Sequence, residues 1–287
     1  MKNEKTTKAI QLRKEVESRI ERTRYMVEPA LPSSVKFDEM KAKALLEIQS
    51  NPALAEATPA SVFWSFVHAT SLGLSVSRVS GEAFIVPFKE KGVPKAQLII
   101  GYKGMVKLAY QHPKIIDINS YTVFEEDEFE VDFGSEPRIV FRPEVDGKRQ
   151  KVRAAFCVVT ILGRRDKTGK VMQMMTVDEI NKVRDSARNS DSPRSPWKTW
   201  YEEMCRKTVL RRTLKTVPRS SEVDRALALE DSYEAGVLPP GEIEVVEVND
   251  NQPAKKSRTS TMKEQLAKQV SEVVEAELVP ADEADFM

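Results

Sequence analysis

The hydrophobic period of this chain changes twice, and that change restricts its fold more than any other feature. Up to residue 73 apolar side chains recur at helical spacing. Phe37, Met40, Ala44, Leu45 and Ile48 mark an amphipathic helix over 35–48, with Ser33 and Ser34 as caps. Asn51-Pro52 breaks it. Thr58-Pro59, a cap followed by proline at the first helical position, starts a second helix that carries Val62, Phe63, Phe66, Val67 and Leu72 before Gly73 stops it. From residue 82 the period shortens to two. Residues 82–88 (EAFIVPF) and 96–100 (AQLII) predict a hairpin across the polar turn KEKGVPK. Gly101-Tyr102-Lys103-Gly104 then opens a short helix with Met105, Val106, Leu108 and Ala109 on its apolar face. Extended chain follows over 115–131. Further strands over 138–141, 152–162 and 171–175 are separated by the charged turns EVDGKRQ and GRRDKTG. Turns that short join antiparallel neighbours, because a parallel crossover needs about a dozen residues or more.

Helical spacing returns at Thr176, which forms a capping box with Glu179. A loop over 187–196 (ARNSDSPRSP) leads into a long helix expected over 197–216, halted before Pro218, and Ser220 and Ser221 cap a last one through Tyr233. The fold class is therefore α+β: a small antiparallel sheet with a hairpin packed on helices, helical N- and C-terminal flanks, and a disordered acidic tail. Residues 1–28, rich in Lys, Arg and Glu, form a polar arm suited to subunit contact; 29–236 is the core; 237–287 is flexible, with one more amphipathic helix expected over 262–276.

Charge is distributed unevenly. The 287 residues carry a formal net charge of +1, but the segment after residue 239 has eleven acidic and five basic residues, leaving +7 for residues 1–239. A basic body suggests a polyanion as partner. The basicity peaks between residues 180 and 219, with eleven basic side chains against four acidic ones, too lopsided for an ordinary solvated face. On a helix, Lys207, Arg211 and Lys215 fall on one stripe, and Arg184, Arg188, Arg194 and Lys198 lie just upstream. Cations beside flat rings are the inventory of a groove that tracks a single nucleic-acid strand, with phosphates on the cations and bases on aromatic faces. Trp197 and Trp200 are expected to be packed, as helical aromatics usually are.

Catalytic readings find less support. The two histidines, His68 and His112, sit in or beside apolar helix; the two cysteines, Cys157 and Cys205, are 48 residues apart, too far for a metal-binding pair. No GxxxxGK[ST] or GxGxxG phosphate loop and no GxSxG elbow occurs, and no cofactor is implied. One cluster invites a metal-dependent nuclease reading: residues 125–132 (EEDEFEVD), with Glu125 at its head and Asp132 at its end. Side chains alternate across a strand, so half of this set faces away from the other half, and a solvated edge is the better account. A non-catalytic basic scaffold is the other alternative. The N-terminus lacks the apolar region of a secretory signal and no run approaches a membrane span, so the expected place is the cytoplasm.

The order of segments resembles the RecT family of phage and prophage single-strand annealing proteins. The resemblance rests on Gly73-Leu74 after an apolar helix, then EAFIVPF, QLIIGYKGMVKLA, DEF, SPW and EEMCRKTVLRRTLK, with Pro218 following, and covers about residues 30–235. It implies an ATP-independent protein that coats single-stranded DNA, anneals complementary strands into duplex and assembles as rings or helical filaments. It also implies a hairpin-and-helix core shared with the eukaryotic mediators that anneal strands. By position it places Tyr102, Lys103 and Lys107 on one wall of a DNA groove and Arg206, Lys207, Arg211 and Arg212 on the other. The implied partners are single-stranded DNA, annealed duplex and further copies of the chain. A host single-strand-binding protein and a companion exonuclease are candidates, and the setting is a bacterial cell carrying a phage or prophage.

Overall fold

In the computed structural model the described residues are 2–235, apart from 34, 78, 91, 164–166, 188–189 and 193–194. The tail and its expected helix over 262–276 lie outside them. The N-terminal part is helical: α1 (Lys2–Arg22), α2 (Arg24–Val27), a 3-10 turn, α3 (Phe37–Ser50), a second 3-10 turn (Pro52–Glu56) and α4 (Pro59–Ser71). The segment set apart as an arm by its polarity is built into the core through α1, which buries Leu12, Val16 and Ile20 at four-residue spacing and packs on α3 and α4. Its charged face is what the sequence displays. Three apolar residues on one stripe are enough to dock it.

Strands β1 (Ala83–Glu90) and β2 (Val93–Ile100) form the expected hairpin, with Glu90 opposite Val93 and Gly92 turning the chain at a φ of +85°. One face (Ala83, Ile85, Ala96, Leu98, Ile100) is buried, and α4 covers β2. Helix α5 (Tyr102–Ala109) follows directly, its N-terminus held against the hairpin by the Gly101 N–H, which donates to the Glu82 carbonyl at 2.8 Å. Both glycines of the GYKG motif serve this approach. A Cβ on Gly101 would stand 2.2 Å from the Gly81 carbonyl oxygen, and one on Gly104 would stand 2.1 Å from that of Glu82.

A three-stranded antiparallel sheet, ordered β3 (Ile115–Phe124), β6 (Val152–Leu162), β7 (Thr168–Thr176), forms the centre. Between β3 and β6 the chain makes a second hairpin, β4 (Glu128–Asp132) with β5 (Arg138–Arg142). Alternation along β6 gives the two faces different neighbours. Ala155, Cys157 and Val159 join the main core, whereas Ala154, Phe156 and Val158 belong to a separate small core with Phe129, Ile139 and Phe141 of the second hairpin. Helix α6 (Val177–Ser186) opens with the expected capping box, Thr176 Oγ1 accepting from the Glu179 N–H and Glu179 accepting from that of Thr176. Thr176→Ala should cost about 1 kcal/mol, readable as a fall of a few degrees in the melting temperature.

The helix expected over 197–216 is two helices, α7 (Pro196–Thr199) and α8 (Tyr201–Leu214). Trp200 lies between them at φ −139°, ψ 50°. The break corrects a second expectation: Trp197 is buried, but Trp200 is 68% exposed. Helix α8 packs on β6, β3, β7 and α5, burying Cys205, Val209, Leu210, Thr213 and Leu214, and α9 (Ser221–Ala235), the last element among the described residues, packs against α5 and β2. Among the described residues no helix is long and apolar enough to cross a membrane.

Candidate nucleic-acid interface

A cleft of about 1190 Å³ separates the outward face of the first hairpin from α6, α8 and α9. Because β1 alternates, burying Ala83 and Ile85 turns Phe84, Val86 and Phe88 the other way, and with Ile99 of β2 they make one wall apolar and partly aromatic. The opposite wall is cationic. Burial of Val209, Leu210 and Leu214 on the sheet turns Lys207, Arg211, Arg212 and Lys215 toward the cleft, and α6 adds Lys182. The sequence marks the stripe on α8 but not its facing wall. The only signal for that wall is the aromatic half of the alternation in EAFIVPF.

Each cation of α8 in the cleft has a carboxylate partner. Lys207 Nζ donates to Glu230 Oε1 at 2.6 Å, the two side chains only 12% and 8% exposed. Arg211 donates to Asp231 and Glu234 and brings Nε to 3.7 Å from Glu230 Oε2. Burial alone would lower the pKa of Arg211, but Glu234, Glu230 and Asp231 outweigh it and raise it above the ordinary arginine value. Lys215 lies 3.7 Å from Asp231, and Arg212 is 2.8 Å from Glu179, whose carboxyl this contact and the Thr176 cap hold below the usual range. Lys182 is exposed and has no ion pair among the described residues. Among the described residues, the negative charge that answers this basic segment comes from α9 and α6.

Of the remaining expected residues, those among the described ones stand apart from the cleft lining. Tyr102 lies under the guanidinium of Arg206, 5.9 Å from ring centroid to Cζ, and Arg206 also pairs with Glu203. Lys107 is a structural tie, donating to the Gly73 carbonyl at 2.9 Å and to Glu82 at 2.8 Å. Lys103 is exposed beside Gly81. Arg184 pairs with Asp185 at 2.8 Å, and Lys198 lies 3.6 Å from Asp191. Arg188 and Arg194 lie outside the described residues. Three members of the acidic run form ion pairs within the chain. Glu125 pairs with Lys151, Glu128 with Arg142, and the fully buried Asp127 with Arg149. Among the described residues no group of three or more His, Cys, Asp or Glu could hold a metal ion.

Comparison with known proteins agrees with the segment order. The model of the RecT family matches residues 38–251. Protein RecT of Escherichia coli (strain K12) is 32% identical over 214 residues, 73% of this chain and 77% of that protein. The uncharacterized protein YqaK of Bacillus subtilis (strain 168) is 25% identical over 238 residues, 79% of each chain. This chain belongs to the RecT family and shares its role in single-strand annealing and recombination.

Proposed function

We propose that the cleft is the groove that holds single-stranded DNA, and that the protein anneals complementary strands without nucleotide hydrolysis, as a ring or helical filament. The observation that carries this reading is the pairing of walls: Phe84, Val86, Phe88 and Ile99 face a row of cations on α6 and α8. Stacking on apolar and aromatic faces accepts any base, and contacts to phosphate carry no sequence information, as an annealing protein requires. No chemical energy is needed, because each base-pair step formed gains roughly 1–2 kcal/mol of stacking. The protein holds strands extended and raises their local concentration. One cleft spans few nucleotides, so useful affinity comes from neighbouring copies linked along one strand. The outer, charged face of α1 is a candidate for that contact, since its inner face is committed to the core.

Binding is expected to be strongly salt-dependent. Engagement of about 4–6 phosphates gives a log–log slope of roughly −3 to −4 on single strands. Arg212→Ala with Lys215→Ala tests the groove directly, since both side chains are about half exposed and their loss should spare the fold. The double variant should bind a short oligonucleotide about 30-fold more weakly, from roughly 1 kcal/mol per lost contact, with a slope shallower by about 1.4. Fluorescence anisotropy across a salt series measures both. Wild-type affinity and slope in a folded variant would move the groove elsewhere.

A further inference from the structure

Among the described residues the cleft lining carries five cations and five carboxylates, which cancel by formal charge. A site that attracts polyanions through its cations would then have little field to attract them with. The arrangement of the acids resolves this. Glu230 sits deep, 8% exposed, with Lys207. Asp231 and Glu234, one position and one turn further along α9, are 52% and 48% exposed at the rim, where they engage Arg211, and Asp231 also faces Lys215. On the basis that the cleft is the DNA groove, we propose that the last turns of α9 are a built-in competitor for the phosphate backbone. Asp231 and Glu234 take on Arg211 and Lys215 the places of phosphates, so that a strand binds by exchanging phosphate for carboxylate.

The two tiers of ion pair fit this exchange. Asp231 and Glu234 are half exposed and rehydrate readily on leaving. Arg211, itself only 14% exposed, is not stranded, because phosphate takes their place and Glu230 remains beside it. The deep Glu230–Lys207 pair stays, because separating it would strand a buried charge. Arg211 Nε and Glu230 Oε2, both buried and without a hydrogen bond among the described residues, face each other across 3.7 Å, so Arg211 is attracted to Glu230 without being locked to it. The competitor also discriminates. A single small anion must displace carboxylates one at a time, whereas consecutive phosphates of one strand displace both in one linked event. Each carboxylate set free recruits a counterion, so the wild-type slope falls at the shallow end of the range of roughly −3 to −4 that 4–6 phosphate contacts give.

The test uses the full chain and a labelled short oligothymidine in fluorescence anisotropy, with circular dichroism to confirm the fold. Asp231→Asn with Glu234→Gln should bind about tenfold more tightly at moderate salt, from two competing pairs of roughly 0.7 kcal/mol each, with a slope steeper by about 1. Glu222→Gln with Asp224→Asn makes the same change in net charge on the first turn of α9, outside the cleft lining, and should leave affinity unchanged. Equal tightening by both pairs would reduce the effect to overall charge and overturn the proposal. So would unchanged or weaker binding by the rim variant while the wild type still binds in a salt-dependent way; the groove assignment would survive that result. Absence of binding by wild type and variant alike would overturn the groove assignment itself. If the double variant does not fold, Asp231→Asn alone should show a smaller gain, and its absence counts equally against the competitor.

Discussion

Gly104→Ala is expected to leave the protein largely unfolded at temperatures where the wild type is native. The added methyl would stand 2.1 Å from the Glu82 carbonyl oxygen, 3.0 Å from its carbon and 3.1 Å from Ile100 Cγ2. Two of these three atoms are backbone, at the point where the first hairpin meets α5, and neither can swing aside as a side chain would. Overpacking that forces backbone apart costs about 3 kcal/mol or more, against a total stability of about 5–15 kcal/mol. The melting temperature should fall by roughly 10 °C. Gly92→Ala makes the contrast. It has open space around it and suffers only from a φ of +85°, so its cost should be about 1 kcal/mol. A Gly104→Ala protein that melted within two or three degrees of wild type would mean that α5 does not approach the hairpin this closely. Because β1 and β2 also form the apolar wall of the cleft, this variant should lose annealing along with stability.

Asp127→Ala should be at least as damaging. The Asp127 side chain is fully buried and accepts from Phe124 N–H at 2.8 Å, Glu144 N–H at 2.9 Å and the Arg149 guanidinium at 2.7 and 2.9 Å. It therefore ties the turn after β3 to the segment after β5, and Arg149 extends the tie by lying 4.4 Å over the Phe124 ring. Truncation orphans two backbone donors and a half-buried cation, a loss of about 3–5 kcal/mol. Burial alone would raise the Asp127 pKa; the donors from Arg149, Phe124 and Glu144 outweigh it and hold the carboxyl below its ordinary value. A depressed folded pKa stabilises above the unfolded value of about 4 and is lost as pH falls through the lower folded value. The stability gap between wild type and Asp127→Asn should accordingly be full at neutral pH and shrink below about pH 4. A gap independent of pH in chemical denaturation would remove the charge from this account.

Asp127 also shows what a sequence reading can and cannot reach. The run EEDEFEVD announces acidity, and alternation along a strand argues against convergent carboxylates, but nothing local reveals that Arg149, 22 residues away, pairs with the third member. The elements with local causes were legible: the hairpin from its alternation, α6 from the Thr176–Glu179 box, the antiparallel order from short charged turns. The break at Trp200 was not, because PWKTWYEEM contains neither glycine nor an internal proline and reads as continuous helix. The stripe Lys207, Arg211, Lys215 was equally legible, yet its partners lie on another helix, Glu234 being 23 residues beyond Arg211. Which charges meet is decided by how α8 and α9 pack, so the sequence locates the cations and only the fold shows what neutralises them. The facing wall was hidden for a related reason. Alternation says that Phe84 and Phe88 share a face, and not which face the core claims.

The two neighbourhoods of β6 divide what natural variation can do along that strand. Ala154, Phe156 and Val158 answer to the second hairpin; Ala155, Cys157 and Val159 answer to the main core, where α8 lies. Adjacent positions are thus under unrelated constraints. A change at an even-numbered site can be absorbed by Phe129, Ile139 or Phe141, on the side of the sheet away from the helix that carries the cations. A change at an odd-numbered site shifts α8, and with it every guanidinium and ammonium that the helix places. The middle strand works as a partition, leaving the excursion from 125 to 151, its Asp127–Arg149 tie apart, free to diverge while the placement of α8 is kept.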